Sequence, residues 1–175
     1  VTGGDAWSER QQELHLKVRS FRQFTPWLRL DAGVETFIRS YRDYYRFELL
    51  YDENRMYPTI CAGFLSSIFY LSEHFKTELS FRPEYVSLNR RMNWSPRAAV
   101  SYAWNRLSIS VVAGQYTQLP ENKYLIKNTA LPSNICRQTL FSLQYEQSGR
   151  FYKAEFYYKN YKRLELSVPQ GMVPD

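Results

Sequence analysis

The sequence has few of the residues that build metal sites and enzyme active sites. Its 175 residues include only two cysteines and two histidines. Cys61 and Cys136 form no Cys-x-x-Cys pair, and His15 and His74 are not spaced as metal ligands, so a zinc site is excluded. Nucleophile-elbow and Gly-rich phosphate-binding motifs are also missing. We therefore expect no catalytic residue, no metal, no cofactor and two free thiols.

Long hydrophobic runs are missing too. The longest, at 60–71, falls well short of the roughly 20 apolar residues that a membrane-spanning helix needs. No basic start followed by an apolar stretch is visible, so any export signal is expected upstream or already removed. Compact basic tracts are absent as well, although the net charge is +6. No tract is longer than two residues, as at Arg90-Arg91, and we expect no nucleic-acid partner.

Aromatic residues, in contrast, are abundant. They make up 17% of the chain, although its mean hydropathy is only −0.52. Surfaces that are apolar on one side and wet on the other account for both numbers. Strict alternation recurs along the chain, as where Leu28, Leu30 and Ala32 alternate with Arg29 and Asp31. A period of two places one set of residues on each face of a β-strand.

The alternation predicts an all-β fold, an antiparallel up-and-down meander of about eight strands. Their approximate ranges are 12–22, 27–39, 57–70, 75–86, 96–104, 107–117, 138–147 and 151–164. Each is roughly ten residues long, as a tilted strand needs to be to cross a bilayer. The segment at 57–70 is apolar on both faces, so a short buried helix is an alternative there.

The predicted connections alternate in length. Tight turns rich in Pro, Asn, Ser or Gly are expected at 23–26, 71–74, 105–106 and 148–150, and longer connections at 40–57, 86–95 and 118–137. Long loops on one side and tight turns on the other are typical of outer-membrane barrels, with the tight turns in the periplasm. The two ends have the composition of loops, so we expect the chain to be cut from a longer protein.

One face of the predicted strands is apolar and the other is charged. Tyr70 and Phe75 flank one tight turn, and Tyr145 and Phe151 flank another, as in an interfacial aromatic girdle. The opposite face carries charges of both signs, among them Lys17, Arg19, Arg29, Glu35, Lys76, Glu78, Arg82, Glu84, Arg97, Lys153, Glu155 and Lys159. This pattern predicts part of a transmembrane β-barrel in the bacterial outer membrane. A soluble antiparallel sheet with one dry face is the alternative.

The stretch from Tyr57 to Leu164 resembles the barrel of TonB-dependent receptors, the active transporters of bacterial outer membranes. Ser95-Pro96-Arg97 is similar to the strand start of that family. Gly114-Gln115-Tyr116-Thr117-Gln118-Leu119-Pro120 is similar to a strand end, and Tyr124-Leu125 follows in the next loop. Glu155-Phe156-Tyr157-Tyr158-Lys159-Asn160-Tyr161, followed by Leu164, is similar to a further strand.

The resemblance implies import of a bulky, scarce nutrient such as a siderophore, a cobalamin-like compound, a glycan or a peptide. It also implies a plug domain and the TonB complex that the plug contacts, and neither the plug nor its TonB motif is visible in 1–175. The implied partners are therefore outer-membrane lipid or lipopolysaccharide, the remaining barrel and plug, the TonB complex through that plug, and the substrate.

Ligand-binding residues are expected in the long loops, where aromatic rings offer stacking area and basic groups offer hydrogen-bond donors. The candidates are Arg90, Arg91, Trp94, Tyr116, Gln118, Tyr124 and Lys127. Anchoring at the interface, or pairing with lipopolysaccharide phosphates, is the alternative role for these residues. Two other functions remain open: a complete small eight-stranded barrel with a structural or adhesive role, whose first and last strands would pair, and a soluble secreted β-sheet binding module.

Overall fold

A computed structural model describes residues 6–47 and 50–164, and these residues form one antiparallel sheet. The strands are β1 (Ala6–Thr25), β2 (Leu28–Phe47), β3 (Leu50–Met56), β4 (Thr59–Tyr70), β5 (Phe75–Val86), β6 (Arg91–Trp104), β7 (Leu107–Gln118), β8 (Asn134–Gln147) and β9 (Arg150–Lys162). A one-turn helix, α1 (Asn122–Leu125), lies between β7 and β8. The predicted all-β antiparallel meander is confirmed.

The strands follow one another through the sheet almost in chain order. The order is β1-β2-β4-β5-β6-β7-β8-β9, and β3 pairs only with the far end of β2. Within the described chain β1 and β9 do not pair, so the sheet is open. Pairing of the first and last strands, which a complete eight-stranded barrel requires, is therefore not observed.

All eight predicted strands are present. The segment at 59–70 is a strand, so the helical alternative for it was wrong. Several strands are longer than predicted: β1 begins at Ala6, β6 begins at Arg91 and β8 begins at Asn134. In β1 the alternation ends before the strand does, because backbone pairing continues through 8–13, where both faces are polar.

The four tight turns lie at one end of the sheet, called here the turn end. They join β1 to β2, β4 to β5, β6 to β7 and β8 to β9. Left-handed backbone closes two of them, with φ of 51° at Asn105, 50° at Ser148 and 74° at Gly149. Three of the predicted tight turns are thus confirmed, and the first lies at 26–27 instead of 23–26, because β1 continues to Thr25.

At the opposite end, called the loop end, two of the three predicted long connections were wrong. The segment at 40–57 is mostly strand, because β2 continues to Phe47 and pairs with β3. Residues 87–90 make a short turn between β5 and β6, which Arg90 closes with a φ of 53°. Only the connection at 119–133 is long, and it contains α1.

The two faces of the sheet differ in chemistry. The outer face, defined here as the one carrying Val18, Val34 and Phe156, exposes 62–69% of each of those side chains. The inner face carries Asp31, Glu35 and Glu84, all of them buried. Within residues 6–47 and 50–164, α1 is the only helix. No helix in these residues is long and apolar enough to span a membrane.

A small apolar cluster lies at the loop end, on the inner side. Leu125 of α1 is 1% exposed and packs with Tyr41 of β2 and Met56 of β3. Leu88, Leu119, Ile126 and Leu131 surround these three residues. The connection at 119–133 therefore folds inward, from β7 onto the ribbon formed by β2 and β3.

Candidate ligand-binding site

A network of ion pairs occupies the middle of the inner face. Arg82 donates through Nε and Nη2 to Oε1 of Glu35, at 3.0 and 2.9 Å, and through Nη1 to Glu84 at 2.7 Å. His15 and Lys17 approach the other oxygen of Glu35 at 3.4 and 3.5 Å. The Glu35 and Glu84 side chains are only 9% and 8% exposed, so Arg82 compensates two buried carboxylates at once.

The register of the sheet explains how Arg82 reaches a residue two strands away. Ala62 of β4 is paired with Glu35 on β2 and with Glu84 on β5. Because the Ala62 side chain is a single methyl group, the long side chain of Arg82 can cross β4 above it. A larger residue at 62 would stand between the two charged partners.

A polar cavity of about 480 Å³ opens beside this network towards the turn end. Its wall includes Arg19, which donates through Nε to Asp31 at 2.8 Å, and Ser66, which donates to Glu78 at 2.7 Å. Arg97 also lines it. Guanidinium groups in a partly dehydrated cavity bind carboxylate and other oxygen-rich groups by forked hydrogen bonds.

Arg97 lies at the centre of a second arrangement on the inner face. It is paired with Gly114 on β7, and its guanidinium carbon is 4.3 Å from the centroid of the Tyr116 ring. A Cβ atom on Gly114 would lie 2.7 Å from Cγ of Arg97, so the glycine provides the space through which Arg97 reaches Tyr116. The arrangement presents a cation and an aromatic ring together.

A second cavity, of about 460 Å³, lies at the loop end between the strands and the connection at 119–133. Asn122 donates to the side-chain oxygen of Gln11 on β1 at 3.2 Å, which joins the connection to the edge of the sheet. Arg39, Tyr41 and Gln118 also line the cavity. Hydrogen-bond donors and acceptors therefore surround it on both sides.

Two ionisable groups at this end have shifted pKa values. A hydrogen bond from Lys123 to Glu121, with Nζ 2.5 Å from the carboxylate, raises the pKa of the lysine. Burial raises the pKa of Tyr41, and the nearby Glu9 and Asp43 raise it further. Lys123 therefore stays cationic and Tyr41 stays neutral throughout the physiological pH range.

The structure distributes the predicted ligand-binding residues over both faces. Tyr116 is on the inner face, and Gln118 lines the loop-end cavity. Trp94 was wrongly placed in a loop: it lies on β6, and its ring stacks on Phe81 of the outer face with centroids 5.5 Å apart. Trp94 therefore faces away from both inner cavities.

The other predicted residues remain near the loop end. Arg91 is an exposed residue at the start of β6 and so is also outside a loop, whereas Arg90 is exposed in the turn. Tyr124 is in α1, with Nζ of Lys123 4.9 Å from its ring centroid, and Lys127 is exposed in the connection. The predicted residues thus form no single site.

Residues that the sequence did not identify as ligand-binding complete the two cavities. The sequence predicts Arg82 and Arg97 only as charges on the polar face, and Gln11 and Tyr41 lie outside the strand ranges that alternation predicts, with Arg39 at the last position of one. One signal was available: Leu119, Leu125, Ile126 and Leu131 make the connection too apolar for a solvated loop. In the described part of the chain no three His, Cys, Asp or Glu side chains converge as metal ligands.

Comparison with solved structures finds the same fold in a receptor. Two variants of the ferric enterobactin receptor from Pseudomonas aeruginosa match this chain with TM-scores of 0.70 and 0.71. Each is 14% identical to it, and each match covers 89% of this chain and 27% of the receptor chain. No family model and no curated protein matches the sequence.

The likeness concerns the fold alone, because 14% identity is too low to carry residue roles across. It covers almost all of the present sheet, so the open meander corresponds to part of the wall of a larger protein fold. The match covers 27% of the receptor chain, so the present chain spans little more than a quarter of the receptor's length.

Proposed function

We propose that this chain is a wall segment of an outer-membrane barrel that imports a bulky, scarce nutrient, as TonB-dependent receptors do. The observation that carries the proposal is that the register sorts the side chains: apolar residues face outward on every strand of the sheet except β3, while buried ion pairs face inward. The likeness to a ferric enterobactin receptor supports the same conclusion at the level of the fold.

The outer face has the chemistry that contact with lipid requires. Val34, Leu79 and Phe156 expose 62%, 51% and 67% of their side chains, and they lie on strands spread across the sheet. Near the turn end Trp27, Trp104 and Tyr152 expose 53–56%. In water this continuous apolar face would be costly, whereas in a bilayer it is the favourable state, with aromatic rings at the interface.

The inner face has the chemistry of a wet, ligand-accessible lumen. The ion pairs around Glu35 and Arg82 and the stacked pair of Arg97 and Tyr116 present charged and aromatic groups side by side. Siderophores, cobalamin-like compounds, glycans and peptides are all bulky ligands that offer oxygen atoms to such groups. Transport, with no catalytic step, is the proposed activity, and its partners are the rest of the barrel, a plug and the TonB complex.

Cysteine accessibility along β6 tests the membrane placement. Ala98 and Val100 face outward, and Ala99 and Ser101, their neighbours, face inward at the same depth. Each is replaced by cysteine in a chain lacking Cys61 and Cys136, and the protein in lipid vesicles is treated with a charged maleimide. We expect label at 99 and 101 and protection at 98 and 100. Equal labelling at all four positions, or a monodisperse sheet protein without detergent, would contradict the proposal.

Import is tested in the bacterium that encodes the chain. Deleting the gene is expected to reduce uptake of one of four labelled probes: a ferric siderophore, cobalamin, an oligosaccharide or an oligopeptide. Complementation with the intact gene is expected to restore that uptake. Unchanged uptake of all four would reject import while leaving the membrane placement standing.

A further inference from the structure

A groove crosses the outer face between β5 and β9. Its floor is made of small side chains, Pro96, Ala98, Ala113 and Thr139, which lie on three adjacent strands. Its walls are the larger side chains of Leu79 and Phe81 on β5 and of Tyr158 on β9. The groove has a volume of about 930 Å³, more than either of the inner cavities described above.

The groove is apolar along its floor and basic at its loop end. Arg137 of β8 and Lys162 of β9 line that end, both are exposed, and both are on the outer face. Gln115 and Asn160 are the strand partners of Arg137 on either side and also line the groove. Among the described residues, no carboxylate lies within salt-bridge distance of Arg137 or Lys162.

Hydrogen bonds hold one side of this basic end in place. Gln115 donates through Nε2 to the backbone carbonyl of Trp94 at 2.9 Å, which fixes the amide. The side-chain oxygen of Gln115 then accepts from Nε of Arg137 at 3.4 Å, a long contact that leaves the terminal nitrogens of the guanidinium directed elsewhere. Arg137 is thus oriented through Nε and keeps its forked donors for a ligand.

The depth of the basic end matches a bilayer interface. Arg137 lies about ten residues along β8 from the turn end, and a tilted strand crosses the hydrocarbon in about that length. The small-residue floor therefore lies at the depth of acyl chains, and Arg137 and Lys162 lie at the depth of headgroups. Two cations and two amides at that depth complement a phosphate group.

We propose that this groove binds a membrane lipid with an anionic, phosphate-bearing headgroup, with an acyl chain on the floor formed by Ala98 and Ala113 and the phosphate between Arg137 and Lys162. This inference rests on the proposed membrane placement and adds to it a defined lipid site. Forked donors from Arg137 and the point charge of Lys162 select a phosphate with net negative charge over a zwitterionic headgroup.

Native mass spectrometry of the full chain in detergent micelles tests the site. The probes are dioleoylphosphatidylglycerol, which is anionic, and dioleoylphosphatidylcholine, which has the same acyl chains and no net charge. The test variant is R137Q/K162Q. Its matched control is K76Q/K159Q, which removes two positive charges from the inner face of β5 and β9. Ala113→Phe fills the floor of the groove without changing charge.

The unchanged chain is expected to retain the anionic lipid more tightly than the zwitterionic one. Binding of the anionic lipid is expected to weaken about tenfold in R137Q/K162Q, since charge-assisted hydrogen bonds are lost, and to stay unchanged in K76Q/K159Q. Ala113→Phe is expected to weaken binding of both lipids. Millimolar inorganic phosphate is expected not to displace the lipid, because it lacks the acyl chain.

Other outcomes would overturn the inference. Equal lipid binding by R137Q/K162Q and the unchanged chain would remove the headgroup site, and displacement by inorganic phosphate would leave only an anion site. Every variant is first checked for sheet structure and for a heat-dependent gel shift. If the cysteine test shows membrane insertion but the chain binds the anionic and zwitterionic lipids equally, only the lipid site is refuted. If the chain does not insert, both proposals are refuted.

Discussion

The guanidinium carbon of Arg97 lies 4.3 Å from the centroid of the Tyr116 ring, and the two side chains meet over Gly114. These residues belong to two sequence segments that resemble receptor motifs, and the fold brings the segments together on adjacent strands. The glycine is required by space, because Cγ of Arg97 and the carbonyl oxygen of Pro96 would lie 2.7 and 3.2 Å from an added Cβ.

Replacing Gly114 by alanine is therefore expected to destabilise the sheet by about 1–3 kcal/mol, the usual cost of overpacking. Arg97 would be pushed away from Tyr116. The measurement is a urea titration of the refolded chain in detergent, followed by tryptophan fluorescence. Gly63→Ala is the matched control, because the nearest atom to its added Cβ is 3.8 Å away. A loss of stability as large at Gly63 as at Gly114 would contradict this explanation.

Arg82→Leu is expected to cost about 3–5 kcal/mol, because it leaves the buried carboxylates of Glu35 and Glu84 without their shared partner. The same urea titration measures the loss. Lys153→Leu serves as the control: the side chains of Lys153 and Glu155 are 40% and 39% exposed, so breaking that pair is expected to change stability by less than about 1 kcal/mol. Equal effects of the two substitutions would show that burial of the Arg82 network does not matter.

Leu125→Ala is expected to release the connection at 119–133 from the ribbon of β2 and β3. Leu125 is 1% exposed against Tyr41 and Met56, so its truncation removes most of the contact and costs about 2–4 kcal/mol locally. Limited trypsin digestion is expected to cut faster after Lys123 and Lys127. Leu71→Ala, at an exposed turn-end position, is the control and is expected to leave the rate unchanged.

Ser148→Gly is expected to stabilise the hairpin of β8 and β9 by about 0.5–1 kcal/mol. Ser148 has a φ of 50°, a left-handed conformation that glycine adopts without the cost of a Cβ atom. Thermal unfolding followed by circular dichroism measures the gain. Ser142→Gly on β8 is the contrasting change and is expected to destabilise, since glycine weakens a strand interior. A gain at both positions would point to a cause other than turn geometry.

The sequence predicted the faces of the sheet better than the ends of its strands. Alternation is strong where one face of a strand is apolar and the other polar, as at Leu14, Leu16 and Val18 of β1. At 8–13 the same strand is polar and exposed on both faces, so the alternation disappears. Residues 52–55 are also polar on both faces, so alternation does not predict β3.

The candidate site was less predictable because it depends on register. Glu35 and Arg82 are 47 positions apart, and only the pairing of Ala62 with both flanking strands brings them together. Trp94 was misplaced because the sequence does not show that the turn after β5 closes at Arg90, which extends β6 and directs the indole outward. Alternation can assign each residue of a strand to the inner or the outer face only when the first residue of that strand is known.

Except at β3, every strand pairs with its neighbours in the chain, and this order has a consequence for how the protein acquires its structure. Each hairpin closed by a tight turn brings together residues that are near in sequence, so assembly can proceed hairpin by hairpin from the turn end with little loop-closure entropy at each step. Docking of Leu125 on Tyr41 and Met56 joins segments that are far apart in sequence and needs β2 and β3 already paired. The connection at 119–133 is therefore expected to dock last on folding and to detach first on unfolding.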